Sequence, residues 1–131
     1  MVVLDTHAWL WWLHDPRRLS RRARARVERE SRSGSLIVSA ISVWEVAVKS
    51  ALGKLTLPLD VEAWFQAART YPRTSIEALE PLDAIASTRL PGSLHRDPAD
   101  RIIVALARRH GVPLVTGDSR IRAYPHVETI W

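Results

Sequence analysis

The 131-residue chain has no cysteine. That excludes a disulfide framework and a zinc–thiolate centre, and it fits a reducing compartment. Long apolar runs are missing too. The longest near the start, Ala8 to Leu13, falls far short of the about 20 residues that span a bilayer. No basic leader opens the N-terminus, and Asp5 and His7 interrupt its apolar character ahead of that run. No secretory signal is therefore expected, no membrane partner, and a cytoplasmic location. Internal repeats and low-complexity linkers are also absent. A single domain over residues 1–131 follows, long enough to bury a real core.

What is present is a basic but otherwise ordinary globular composition, 47% apolar and 25% charged. Nineteen Lys and Arg face 14 Asp and Glu, for a formal charge of +5 and a pI near 10.7. Eight arginines fall between Arg17 and Arg32, opposed there only by Glu28 and Glu30. Such a surface suits a polyanion, and a solvated helix face explains the same run equally well.

Strand and helix signals alternate. Val2-Val3-Leu4 is a short buried strand ending at Asp5, and His7 to Leu13 forms a helix stopped near Asp15-Pro16. Ser20 caps a helix to about Arg32, closed by Ser33-Gly34. Leu36-Ile37-Val38 is the next strand, and Ser39 precedes a helix from about Ala40 to Leu52. Pro58 and Asp60 introduce a helix to about Tyr71; Ser75 to Leu79 reads as a third strand, then a helix from Pro81 to about Leu90. The best-punctuated segment has Asp97 as N-cap, Pro98 at N1, Asp100 at N3 and Gly111 past the end. Leu114-Val115 and Val127 to Ile130 complete the strands. This order implies an α/β fold with a central, mainly parallel sheet of four to five strands, covered on both faces.

Four acids, Asp5, Glu45, Asp100 and Asp118, lie at strand ends or in the helices that follow. Open α/β sheets build their sites at that edge. Each acid also has a plain reading: a helix cap for Asp5, an ion pair with Lys49 for Glu45, dipole stabilisation for Asp100, a turn for Asp118. Their common placement is the stronger observation. Converging carboxylates repel and raise one another's pKa, and a divalent cation removes the conflict. A hard cation with oxygen ligands, Mg²⁺ or alternatively Mn²⁺, suits such a set.

Four stretches carry a family resemblance over essentially the whole chain. They are Val2-Val3-Leu4-Asp5-Thr6-His7, then Ser39 through Glu45, then His95-Arg96-Asp97-Pro98-Ala99-Asp100-Arg101-Ile102-Ile103, then Leu114-Val115-Thr116-Gly117-Asp118. In this order they resemble the PIN-domain ribonucleases, especially the VapC-type toxins of toxin–antitoxin pairs. The resemblance implies a three-layer PIN-like α/β/α sandwich and a metal-dependent endoribonuclease. It implies Asp5, Glu45, Asp100 and Asp118 as the catalytic, metal-holding quartet. An RNA substrate, a VapB-like antitoxin partner and a homodimer are implied with it. Thr6, Ser39 and Thr116 would orient the carboxylates, Asp97 would cap or support them, and Arg96 and Arg101 would meet RNA; His95 is read as incidental. Trp9, Trp11 and Trp12 cannot all bury on one face of their short helix, so part of this cluster suggests a partner contact.

Two other readings compete. A catalytically idle PIN-like RNA-binding or scaffold module would typically lack one of the four acids. A haloacid-dehalogenase-type phosphatase also puts an Asp after its first strand, but wants a second Asp two residues on, where this chain has His7.

Overall fold

A computed structural model describes residues 1–70 and 73–131. Five strands form one sheet in the order β3-β2-β1-β4-β5, and every pairing is parallel. They are β1 (Val2–Leu4), β2 (Leu36–Ser39), β3 (Thr74–Glu77), β4 (Leu114–Val115) and β5 (Thr129–Ile130). Parallel neighbours need crossovers, and helices supply them. These are α1 (Thr6–His14), α2 (Arg21–Ser33), α3 (Ala40–Ala51), α4 (Val61–Thr70), α5 (Pro81–Ser87), α6 (Pro98–His110) and α7 (Ser119–Arg122). A 3₁₀ turn over Pro16–Arg18 joins α1 to α2.

The strands are apolar throughout because both faces of the sheet are covered. Val2, Leu4, Leu36 and Val38 point into one core with Ala8, Trp9, Val27, Val46 and Trp64. Val3, Ile37 and Leu114 point into the other, against Ile103, Val104, Leu106 and Ala107 of α6. Helix, sheet, helix is the three-layer sandwich that the alternation implied. Among the tryptophans of α1, only Trp9 is fully buried, its ring edge-on to Trp64 at 5.1 Å.

Caps start the helices where the sequence placed them. Ser20 accepts from the Ala23 amide at 3.0 Å, and Asp97 from the Asp100 amide at 2.9 Å. Gly34 and Gly111 close α2 and α6 with φ of 72° and 63°, a conformation that favours glycine. Four expectations shift, the first being β5, which covers Thr129–Ile130 rather than Val127 to Ile130 because it pairs only with the two residues of β4. The third strand is Thr74–Glu77 rather than Ser75 to Leu79, since it extends only as far as it pairs with Leu36–Ser39. The helix from Pro81 stops at Ser87, where the Ser87 and Thr88 hydroxyls turn back onto the Ala84 and Ile85 carbonyls. Helix α7 was not anticipated at all. The α4 boundary expected near Tyr71 lies outside the described residues; the described helix runs to Thr70.

A polar network ties α5, α6 and β3 together. Buried Asp83 accepts from Arg109 Nε at 2.8 and 3.0 Å. The same arginine and His110 reach Glu77 at 3.2 and 2.9 Å. None of the helices is long and apolar enough to cross a membrane among the described residues.

Candidate active site

The parallel sheet delivers the acids to one place. Asp5 leaves β1, Glu45 sits one turn into α3 after β2, Asp100 lies in the first turn of α6 and Asp118 follows β4. All four, with Asp97, line one cleft of about 790 Å³. Trp11, Arg18, Lys49 and Lys54 line the same cleft. The cleft therefore combines acidic and basic side chains.

Each acid is held by a specific neighbour. Asp5 Oδ1 accepts from the Ala8 amide at 2.7 Å and caps α1, so the plain reading of Asp5 as a cap is correct and coexists with its place in the cleft. The Thr116 hydroxyl also bonds Asp5 and accepts from the Asp118 amide at 3.1 Å. Fully buried, Thr116 links the first and fourth acids. The Thr6 hydroxyl pairs with Glu45 Oε1 at 2.5 Å and with Ser42 Oγ at 2.9 Å. Glu45 thus turns to Thr6, and no Glu45–Lys49 ion pair forms among the described residues; the Lys49 ammonium instead lies 3.5 Å from His7 Nε2. Asp118 caps α7 through the Arg120 and Ile121 amides at 2.8 and 3.4 Å.

The electrostatics separate the four. Burial pushes the Asp5 carboxyl up to about 6 against the bonds from Thr116 and Ala8, and Asp100 and Asp118 push it further. Burial also raises Glu45 and Asp100, partly offset by the Thr6 hydroxyl and by His95 respectively. Asp118 goes the other way, lowered chiefly by the Arg120 side chain, whose Nη2 stands 2.9 Å from it and 4.0 Å from Asp100. Three carboxyls crowded into one cleft with raised affinities for protons are groups short of positive charge. Their donors are hard oxygens, with one imidazole beside them: ligand atoms of His95, Asp100 and Asp118 all lie within 4.8 Å of one another. The other ring nitrogen of His95, Nδ1, is buried and has no hydrogen-bond partner among the described residues. This donor set fits a divalent cation.

The supporting residues divide more sharply than the sequence suggested. Ser39 orients no carboxylate; its hydroxyl caps α3 by accepting from the Ile41 amide at 3.2 Å, so it acts on Glu45 only through the helix. Ser42, fully buried, bonds the Thr6 hydroxyl and so supports Glu45 at one remove. Asp97 is the α6 cap. Arg101 is turned inward: its guanidinium donates to the carbonyls of Ser87, Leu94 and His95 at 2.8, 2.9 and 3.4 Å, bracing the loop before α6 rather than facing an RNA. Arg96 is exposed and enters no ion pair among the described residues. His95 is not incidental, for its Nε2 bonds Asp100 Oδ2 at 2.6 Å. Arg120 was missed as well; an arginine two residues past an acid in an apparent turn gives no signal until the turn proves to be a helix.

A parallel sheet with an acid-lined cleft at its C-terminal edge defines a class of site suited to a divalent cation, and comparison with known proteins supplies the family. The PIN domain family matches residues 2–127. The chain belongs to the PIN-domain family. It is 37% identical over 132 residues to ribonuclease VapC22 of Mycobacterium tuberculosis, covering 99% of this chain and 98% of that one. Its fold is similar to VapBC of Salmonella typhimurium bound to DNA, with TM-score 0.71, 17% identity, and 98% and 95% of the two chains covered. VapBC2 of Rickettsia felis bound to a promoter DNA fragment gives TM-score 0.70, 14% identity, and 98% and 97% coverage.

Proposed function

We propose that the chain is a metal-dependent endoribonuclease, the toxin of a VapBC-like pair, acting on RNA in the cytoplasm as a single 131-residue domain. The observation that supports it best is the convergence of four acids on one cleft, three of them held above their ordinary proton affinity by burial. The 37% identity to a ribonuclease over nearly the whole chain points to RNA. Asp5, Glu45, Asp100 and Asp118 would hold Mg²⁺, with Mn²⁺ as an alternative, and His95 would join Asp100 and Asp118. When bound, such an ion lowers the pKa of a coordinated water and offsets charge on the phosphate oxygens.

The chain's own residues prepare that chemistry. Thr116 aims Asp5, Thr6 and Ser42 aim Glu45, and His95 aims Asp100, as outer hydrogen bonds do around metal ligands. Arg120 holds Asp118 ionised and stands at the cleft mouth, where a guanidinium would meet a phosphate; Arg96 offers a second. No Ser, Cys or His nucleophile is required. The antitoxin and the homodimer rest on the VapBC likeness, and Trp11 and Trp12, both half-buried, are the α1 side chains left for a partner.

The test is total cellular RNA incubated with the purified, partner-free protein in Mg²⁺, in Mn²⁺ or in EDTA. Discrete fragments in metal that vanish in EDTA support the reading. Intact RNA in every condition, from folded protein that still binds RNA, favours the idle binding module.

A further inference from the structure

Beside the acidic cleft lies a second one of about 430 Å³, lined by Arg22, Ser119, Arg122, Ala123, Thr129 and Trp131. Its lining side chains include two arginines and, among the described residues, no acidic one. Most other arginines of the α2 region are already engaged. Arg17 pairs with Asp15, Arg24 with Glu28, Arg26 and Arg29 with Glu30, and Arg18 covers the Trp11 ring at 4.9 Å. Arg22 and Arg122 are exposed and pair with no carboxylate among the described residues. They come from elements 100 residues apart in sequence, and the fold brings them to one groove.

Neighbouring residues line the two clefts. Asp118 lines the first and Ser119, the next residue, lines the second. Trp131 lines the second, while its ring lies 5.6 Å from that of Trp11 in the first. Trp131 also packs on the loop that presents Asp118: a Cβ on Gly117 would stand 2.9 Å from the indole. Gly117 therefore lets an aromatic ring lie directly beside the acidic site, facing a groove with two free guanidiniums.

Resting on the ribonuclease reading, we propose that this groove is a second RNA subsite, holding the strand that flanks the phosphodiester in the acidic cleft. Arg22 and Arg122 take backbone phosphates, and the half-buried face of Trp131 stacks a base. Single-stranded nucleic acid is bound by this combination of cationic groove and aromatic platform. An acidic peptide would use the arginines but has no need of the indole or of continuity with the acidic cleft.

The experiment is fluorescence anisotropy of a labelled, mixed-sequence 20-nucleotide single-stranded RNA, in EDTA so that nothing is cleaved, across 50 to 300 mM salt. The Arg22→Ala/Arg122→Ala protein is compared with wild type and with a charge-matched Arg32→Ala/Arg89→Ala control. Loss of two phosphate contacts lowers the slope of log affinity against log salt by about 1.4, at about 0.7 per contact. The control keeps the wild-type slope, and Trp131→Leu weakens binding about fivefold or more with the slope unchanged. Once RNA is saturating, the double variant cleaves at the wild-type rate in metal. Equal affinity and slope in the double variant and wild type overturn the proposal. So does a loss confined to a polyglutamate competitor with RNA binding intact, which makes the groove a peptide site. Binding that drops as described in a protein that cleaves no RNA keeps the subsite and rejects the nuclease reading, so the two fail separately.

Discussion

Asp5 is a carboxyl that the fold makes uncomfortable, and that discomfort can be measured. Its pKa rises from 3.8 to about 6, first through burial and then through the neighbouring Asp100 and Asp118. A folded-state pKa above the unfolded value means that the folded chain holds the proton more tightly, so ionisation costs stability. The penalty is absent well below pH 3.8, grows as pH rises towards 6, and is complete above it. A shift of about two units corresponds to about 3 kcal/mol. In the metal-free protein, Asp5→Asn removes this penalty and keeps an oxygen to accept from the Ala8 amide. It disturbs the Thr116 bond, a cost of about 1 kcal/mol. The net expectation is a gain of about 2 kcal/mol at pH 8, or roughly 6–10 °C in melting temperature for a chain of this size. At pH 4 the gain disappears or reverses. The assay is thermal melting of both proteins in EDTA at the two pH values, taken as a difference so that other titrating groups cancel. Added Mg²⁺ should then raise the wild type more than the variant, because the variant has lost one of the four carboxylates offered to the ion. An Asp5→Asn protein equally destabilised at pH 8 and pH 4 would refute the reasoning, since the carboxylate would then not be under strain.

Other perturbations follow from single contacts. Arg120→Ala should tighten Mn²⁺ binding about two- to fivefold, the worth of an exposed ion pair that no longer competes for Asp118, while KM for RNA cleavage rises; calorimetric titration and initial rates check the pair of effects. Arg109→Ala strands the buried Asp83 carboxylate and should cost roughly 2–3 kcal/mol, short of a fully buried pair because Arg109 is partly exposed; urea unfolding reads it, with cleavage unchanged. Gly117→Ala drives a methyl group against Trp131 and should cost about 1–3 kcal/mol, as overpacking does, and slow cleavage by displacing Asp118, both seen in the same urea and rate measurements.

Much of this arrangement was legible in residues that act locally. Apolar strands, the caps Ser20 and Asp97, and the closing Gly34 and Gly111 state their roles within a few residues, so the alternation and the sheet followed from them. The four acids were legible by position, at a strand's end or in a helix beyond one. What escaped depends on partners far away or on elements too short to show a period. Ser42 meets Thr6 across 36 positions, a pairing that no local pattern announces. Helix α7 has four residues, and its Arg120 matters only because Asp118 caps it. Arg101 looked outward by its place in the motif, yet three carbonyls of a bending loop claim its guanidinium. Ser39 caps α3 from the end of β2 while Ser42 lies inside the helix, and which of the two meets Thr6 is decided by the fold.

The measurement that tests the central claim most directly is single-turnover RNA cleavage by Asp5→Asn, Glu45→Gln, Asp100→Asn and Asp118→Asn, each at saturating Mg²⁺ with its melting temperature recorded. If the four acids form one working site, every variant loses at least about two orders of magnitude in rate, the scale of losing a ligand or its orienting partner, while remaining folded. Cleavage at the wild-type rate by any two of them would contradict the account and place the chemistry elsewhere on the molecule.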